Sequence, residues 1–179
     1  MAESPGAPLG PGTAAPTGKG PAPAAGAAGP QPSPLPTTGA PAAPAVPGAP
    51  AVYFVAIGDA GNRGARFGCG DSLVGTRLPS STGNDPLAAA MEELLSPGDA
   101  ASRAGLYNAL SGSALRYVSG YLDGSTAVVN LTGSLRPGGV CDNPRIEAQL
   151  TQTAVANTGA SRAEIYVDGT PLAALLSLR

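Results

Sequence analysis

Histidine and tryptophan are absent from this 179-residue chain, which has one lysine, two cysteines, two phenylalanines and two methionines. Each shortage removes a class of chemistry. Without histidine there is no Ser-His-Asp or Cys-His arrangement, and no Gly-x-Ser-x-Gly elbow occurs. Ser72, in Gly70-Asp71-Ser72-Leu73-Val74-Gly75, comes nearest, at the wrong spacing. Two cysteines and no histidine fall short of the roughly four ligands of a structural zinc site, so no metal is expected. Basic charge is scarce too. From residue 51 onward nine arginines face eleven carboxylates, leaving no patch that neutralises phosphates, and nucleic acid is not an expected partner. No apolar run approaches the ~20 residues of a membrane helix.

Bulky apolar residues are also few and without periodicity in the first 50 positions, where fourteen of the 20 prolines lie and the only charges are Glu3 and Lys19. Such a segment buries too little surface to offset its ordering entropy, so residues 1–50 are expected to be a disordered Pro/Ala/Gly-rich tether. Repeated Ala-Pro and Gly-Pro steps would span roughly 40 Å as a coil and about 150 Å as polyproline. Met1-Ala2-Glu3-Ser4-Pro5 has neither the basic start nor the apolar core of a signal peptide. The favoured expectation is that Met1 stands where an export signal or lipid anchor was removed; a cytosolic protein is the alternative.

Residues 51–179 suit one domain. Ala51–Ile57, seven consecutive apolar residues, reads as a buried strand. A glycine-rich loop, 58–70, follows, and then a strand over Ser72–Leu78. Asn84-Asp85-Pro86 starts a helix, with Asp85 as cap and Pro86 in the first turn. Leu87, Met91, Leu94 and Leu95 make its apolar stripe, and Ser96-Pro97-Gly98 ends it. Leu115–Leu122 and Thr126–Thr132 form a hairpin about Asp123-Gly124. Asn143-Pro144 opens a second helix with Ile146, Leu150, Thr153 and Ala154 buried and Gly159 past its end. A last hairpin is expected from Ala163–Val167 and Thr170–Leu176 about Asp168-Gly169. The order points to the α+β class: a single two-layer domain, one β-sheet with two helices packed on one face.

These pieces in this order resemble the GerMN domain of sporulation, spore-germination and envelope proteins and lipoproteins. The resemblance rests on Val52-Tyr53-Phe54, on Pro86 through Gly98, and on Ala104-Gly105-Leu106 leading to Asp123-Gly124 and Ala127 through Thr132. Gln149-Leu150-Thr151-Gln152-Thr153 and Ile165 through Pro171 complete it. Asn130 replaces the family's usual Asp, Ser111 stands where Pro often precedes the hairpin, and loop 58–70 is longer and richer in glycine. The resemblance implies an exported protein held in the cell envelope, with no established catalytic residues and a fold similar to ring-building domains.

Other candidate sites reduce to ordinary structure. Gly58-Asp59-Ala60-Gly61-Asn62-Arg63-Gly64 lacks the Lys-Ser/Thr ending of a phosphate loop and opens no helix. Asp59, Asn62 and Asp71 lack the spacing of a calcium loop. Asp85, Glu92 and Glu93 are explained by capping and by a water-facing helix side, so no paired-carboxylate hydrolase is expected. No cofactor is implied. In an oxidising compartment Cys69 and Cys141 read as one disulfide, closing a loop worth about 4 kcal/mol; two unrelated cytosolic thiols are the competing reading. Asn130-Leu131-Thr132 matches a glycosylation sequon on a strand and is read as incidental.

The expectation is therefore a non-catalytic envelope interaction or assembly module. It would bind an envelope protein or itself through Tyr117, Ser119 and Tyr121, alternating on an open sheet face. The alternative is a binding domain for a small or polymeric cell-wall ligand, using loop 58–70 with Arg63, Arg66 and Tyr107. The membrane would be reached only through an N-terminal anchor no longer present.

Overall fold

A computed structural model describes residues 49–79, 85–96 and 100–178. The expected tether lies outside the described residues, apart from Ala49 and Pro50, and so do Asn84 and the Pro97-Gly98 stop. Pro50 is already part of the fold: its side chain is buried and its carbonyl accepts from the Leu78 amide at 2.9 Å.

The described elements run β1 (Ala51–Ala56), β2 (Ala65–Arg66), β3 (Ser72–Arg77), α1 (Pro86–Leu95), α2 (Ala100–Arg103), β4 (Ala114–Asp123), β5 (Thr126–Ser134), α3 (Asp142–Thr158), β6 (Arg162–Val167), β7 (Thr170–Pro171) and α4 (Leu172–Ser177). The α+β class holds. β4, β5, β6 and β7 form a four-stranded sheet in that order, with β5 and β6 parallel and the other pairs antiparallel. α1 packs on β4, and α3 on β5 and β6. β1 and β3 pair with each other, with β2 on the far side of β3, in a second, three-stranded ladder.

One core joins these parts. Leu87, Met91 and Leu94 from α1 and Ile146, Leu150 and Ala154 from α3 meet Ala127, Val129 and Leu131 of β5, with Val52 and Phe54 of β1 in the same cluster. The Asp85 carboxylate accepts from the Ala88 amide at 3.0 Å, the cap expected from its place before Pro86. Gly159 ends α3 at φ 72°, in the left-handed region where glycine carries no Cβ penalty.

The last hairpin is corrected. Its second arm is two residues long, and the chain then turns into α4. Pro171 has no N–H for a ladder, while Leu172 and Leu176, four apart, bury one helical face in the core. α2, unforeseen from sequence, is a single turn whose Ala101 is buried.

Among the described residues, β1 reaches no other strand along the edge facing away from β3, except through an isolated bridge between Val55 and Tyr107, whose amides and carbonyls pair at 2.9 and 2.7 Å. α3 closes the rest. Asn157 accepts from the Ala51 amide at 2.9 Å and donates to its carbonyl at 2.7 Å. Thr153 Oγ1 accepts from the Tyr53 amide at 3.1 Å, and the Gln149 side-chain amide donates to the Tyr53 carbonyl at 3.1 Å. Gln149 also accepts from the Ala109 amide at 2.9 Å. Gln149, Thr153 and Asn157 lie four apart on one helical face, so their polar atoms line up along the strand as a partner strand would. Gln149→Leu leaves the Tyr53 carbonyl and the Ala109 amide buried without partners. It is expected to cost about 2–5 kcal/mol in urea denaturation, against about 1–2 kcal/mol for Asn157→Ala at the half-buried end; equal, small losses would contradict this closure.

Candidate functional site

The glycine-rich loop is built around one aspartate. Asp59 Oδ1 accepts from the Gly61 amide at 3.2 Å and from the Ser72 hydroxyl, while Oδ2 accepts from the Arg63 amide at 2.8 Å. The Ser72 hydroxyl, with those amides, holds the Asp59 carboxyl below its usual range. The loop then passes through β2 and a short 3₁₀ turn, Gly68–Gly70, in which Cys69 takes φ 59°.

Two links join this loop to the start of α3. Cys69 and Cys141 form the expected disulfide, with S–S 2.08 Å across 72 residues of sequence. Beside it, Arg145 Nε meets Asp71 Oδ2 at 2.7 Å and Nη1 meets Asp142 Oδ1 at 3.1 Å. Asp71 is fully buried and Asp142 nearly so. Asp71 also accepts from the Gly58 amide at 2.8 Å, and Asp142 from the Gly138 amide at 2.8 Å. The Tyr107 hydroxyl donates to Asp142 at 3.2 Å, and the Arg145 guanidinium lies 5.4 Å from the Tyr107 ring centroid.

The charges in this cluster answer one another. Burial pushes the Asp71 carboxyl up, but the Arg145 hydrogen bond, the Gly58 amide and the Arg145 charge outweigh it and hold it below the usual range. The Arg145 guanidinium is pushed up, first by its hydrogen bond to Asp71. Burial, and then the charge of Asp142, raise the Tyr107 hydroxyl. No buried side-chain polar atom among the described residues lacks a hydrogen-bond partner.

The candidate ligand residues of this region go to separate places. The Arg63 guanidinium donates to the Gly105 and Ala104 carbonyls at 3.1 and 3.0 Å, closing the end of α2. Arg66 is exposed on β2, and Tyr107 is turned to Asp142. The clefts beside α3, α4 and the ends of β4 and β5 are lined by none of the three.

The sheet face also differs from the sequence expectation. A β-bulge interrupts β4 between Tyr117 and Ser119. Strict alternation would put Tyr117, Ser119 and Tyr121 on one side; the extra residue, Val118, breaks it. Tyr117 stands opposite Leu131, and Gly120 opposite Val129, both buried, so Tyr117 belongs to the helix side and packs against the core. Burial, and then Asp85 and Glu92 at α1, raise its hydroxyl. At Gly120 a Cβ would lie 2.4 Å from Leu87 Cδ2, so glycine lets α1 approach the sheet. Ser119 and Tyr121 stand opposite Asn130 and Val128 on the outer side.

Tyr166, not one of the residues expected on the open face, joins them there, since it pairs with Asn130 in the parallel register. Its hydroxyl donates to Glu164 Oε2 at 2.9 Å, and Asn130 donates to the Ser119 hydroxyl at 3.2 Å. Tyr121 is 57% exposed. The outer face thus sets an exposed tyrosine beside a fixed one, among Ser119, Asn130, Val128 and Glu164. Tyr166 could not be found from local sequence, because its place depends on the parallel register of β6 on β5.

The family described as Germane, sporulation and spore germination, has a model that matches residues 51–173, over two thirds of the chain. No curated protein and no solved structure gives a significant match.

Two outcomes follow from the loop and its anchors. Asp71 gives up its proton more readily folded than unfolded, so its contribution is complete above its unfolded value of about 3.9 and is lost as pH falls through the lower folded value. Asp71→Asn is expected to cost about 3 kcal/mol at neutral pH and to show a shallower loss of stability between pH ~4 and ~2 than the wild type. An acid limb identical to the wild type's would refute the role given to Asp71. Cys69→Ser with Cys141→Ser is expected to lower Tm by about 10–20 °C in a calorimetric scan, as the loss of a ~4 kcal/mol loop constraint requires.

Proposed function

The chain belongs to this sporulation and spore germination family, and from that premise we propose that it serves there as a non-catalytic interaction module of the cell envelope. Family membership gives the broad role, one related to sporulation or germination. The outer face of the four-stranded sheet supports the finer reading. Ser119, Tyr121, Asn130 and Tyr166 share that face, while α1 and α3 fill the other. Tyrosines with small polar neighbours favour interfaces, because large rigid rings gain contact area for little lost conformational entropy. The partner is an envelope protein or a second copy of the chain.

The titratable groups favour binding over catalysis. Asp71, Asp142, Arg145 and Tyr107 are spent on one another and on backbone amides, and Asp59 is spent on its loop. A general acid or base needs a free face toward substrate. The bonded cysteine pair fits an oxidising, extracytoplasmic setting.

Association is measured by sedimentation velocity for the chain alone, and by pull-down from an envelope extract for another protein. Tyr121→Arg replaces an exposed side chain and should leave the fold within about 0.5 kcal/mol of wild type. It is expected to weaken association about tenfold or more. Full association by the folded variant would overturn the reading.

A further inference from the structure

β1 and β6 have opposite fates at their edges. β7 pairs only with Tyr166 and Val167 of β6, through Pro171 and Thr170. Because Asp168-Gly169 is a two-residue turn, Val167 and Thr170 exchange main-chain hydrogen bonds. Main-chain groups alternate in direction along a strand, so Ala163 and Ile165 turn theirs toward the same side as Val167. There the chain has become α4, and Arg162–Ile165 has no strand neighbour on that side among the described residues.

A cleft of about 300 Å³ lies along this stretch. Ala163, Glu164 and Ile165 line it from the strand, Glu147 and Thr151 from α3, and Leu172 from α4. Glu147 and Thr151 are one helical turn apart, so α3 forms one wall of the cleft. The lining has two exposed carboxylates and no cationic group; Arg162 is not part of it.

Resting on the interaction reading above, we propose that this cleft is a strand-addition groove for an extended, basic segment of a partner protein. The segment's main chain would pair with Ala163 and Ile165, as peptides do when they add to a sheet edge beside a helix. Glu147 and Glu164 would receive its Lys or Arg side chains. A second copy of the chain fits less well. β4, its long edge strand, is bulged at Val118, and bulges blunt flat edge pairing.

The probe is a capped pentapeptide, Val-Val-Arg-Lys-Val, added to the full isotope-labelled chain; its adjacent cations face opposite sides of an added strand, as Glu147 on the helix side and Glu164 on the outer side require. Its controls are Val-Val-Glu-Glu-Val and a basic peptide N-methylated at alternate residues. The expected result is amide shifts confined to 147–151 and 162–173, with slowed exchange at the Ala163 and Ile165 amides. Both controls should bind about tenfold or more weakly, as should the basic peptide to Glu147→Lys with Glu164→Lys, two exposed substitutions. Equal binding of the acidic peptide, shifts mapping elsewhere, or no binding at millimolar peptide would overturn the groove. So would self-association abolished by the Glu147→Lys/Glu164→Lys pair without peptide binding, which would assign the groove to a second copy. Tyr121 lies outside the cleft, so Tyr121→Arg separates the two readings: a chain that binds the peptide but associates normally as Tyr121→Arg keeps the groove and loses the sheet-face role.

Discussion

Ala51 and Tyr53 aim their N–H and C=O groups at a helix, and the side chains of that helix receive them. A buried backbone group left without a partner costs as much as several good apolar contacts contribute. β1 is apolar on both faces, with Val52, Phe54, Val55 and Ala56 all buried, so water is not at hand along its length. The three polar residues of α3 are thus what allow an apolar strand to lie inside the domain without joining the larger sheet. They also fix the register of β1 against α3, because each bond is specific to one residue. β3 takes its position from β1, and the glycine-rich loop takes its position from both.

The same helix carries the second set of anchors at its other end. Arg145 lies one turn before Gln149, and its guanidinium holds Asp71 at the start of β3. α3 therefore grips the three-stranded ladder at Ala51, Tyr53 and Asp71, while its apolar side meets the four-stranded sheet through Ile146, Leu150 and Ala154. Buried ion pairs seldom add net stability over apolar packing, but they penalise every wrong docking heavily. Set beside a disulfide, the Asp71–Arg145–Asp142 cluster reads as a device that fixes how the loop docks. The disulfide limits how far the loop can stray, and the charges decide where it sits.

Much of this fold is legible in the sequence, and the legible parts share a cause. α1 announces itself by a cap followed by proline, α3 by its apolar stripe and terminal glycine, and the β4–β5 hairpin by a two-residue turn with glycine; Asn143 is not the cap expected of it, since α3 begins at Asp142 and the Asn143 side chain donates to the Leu176 carbonyl at 3.1 Å. The disulfide is the one pairing that two cysteines allow, and the structure bonds them. What escapes depends on a partner far away in the chain. Thr153 falls on the stripe with Ile146 and Leu150 and is indeed buried, but its use as an acceptor for Tyr53 depends on a strand 100 residues earlier. Gln149 and Asn157 look like ordinary solvent-side residues until β1 is laid beside them. Arg63 looks like a ligand residue because an arginine in a glycine-rich loop so often is; here it meets the end of α2, itself a single turn invisible to periodicity. The bulge at Val118 reverses the reading of Tyr117 because one inserted residue flips a strand's faces, and nothing in Tyr117–Tyr121 alone marks the insertion. α4 hides behind a hairpin pattern because Thr170-Pro171 does begin as a strand, and the break comes only where proline meets Leu172.

Edges make the last step of the synthesis. With seven strands in two ladders among the described residues, the domain has several, and they are treated in different ways. β1 is closed by side chains, β2 is two residues long, and β4 is kinked by its bulge. Short strands, bulges and covering elements are the ordinary means of keeping an edge from recruiting unwanted strands. Beside β6, over Arg162–Ile165, no strand pairs on the side away from β5 among the described residues, and the stretch is regular through its pairing with Thr126–Val129. Among the described residues, a regular edge beside a helical wall thus remains at one place in the fold. That place adjoins Tyr166, which lines the cleft and stands on the outer sheet face as well. The two surfaces therefore meet at one strand, with Tyr166 common to both.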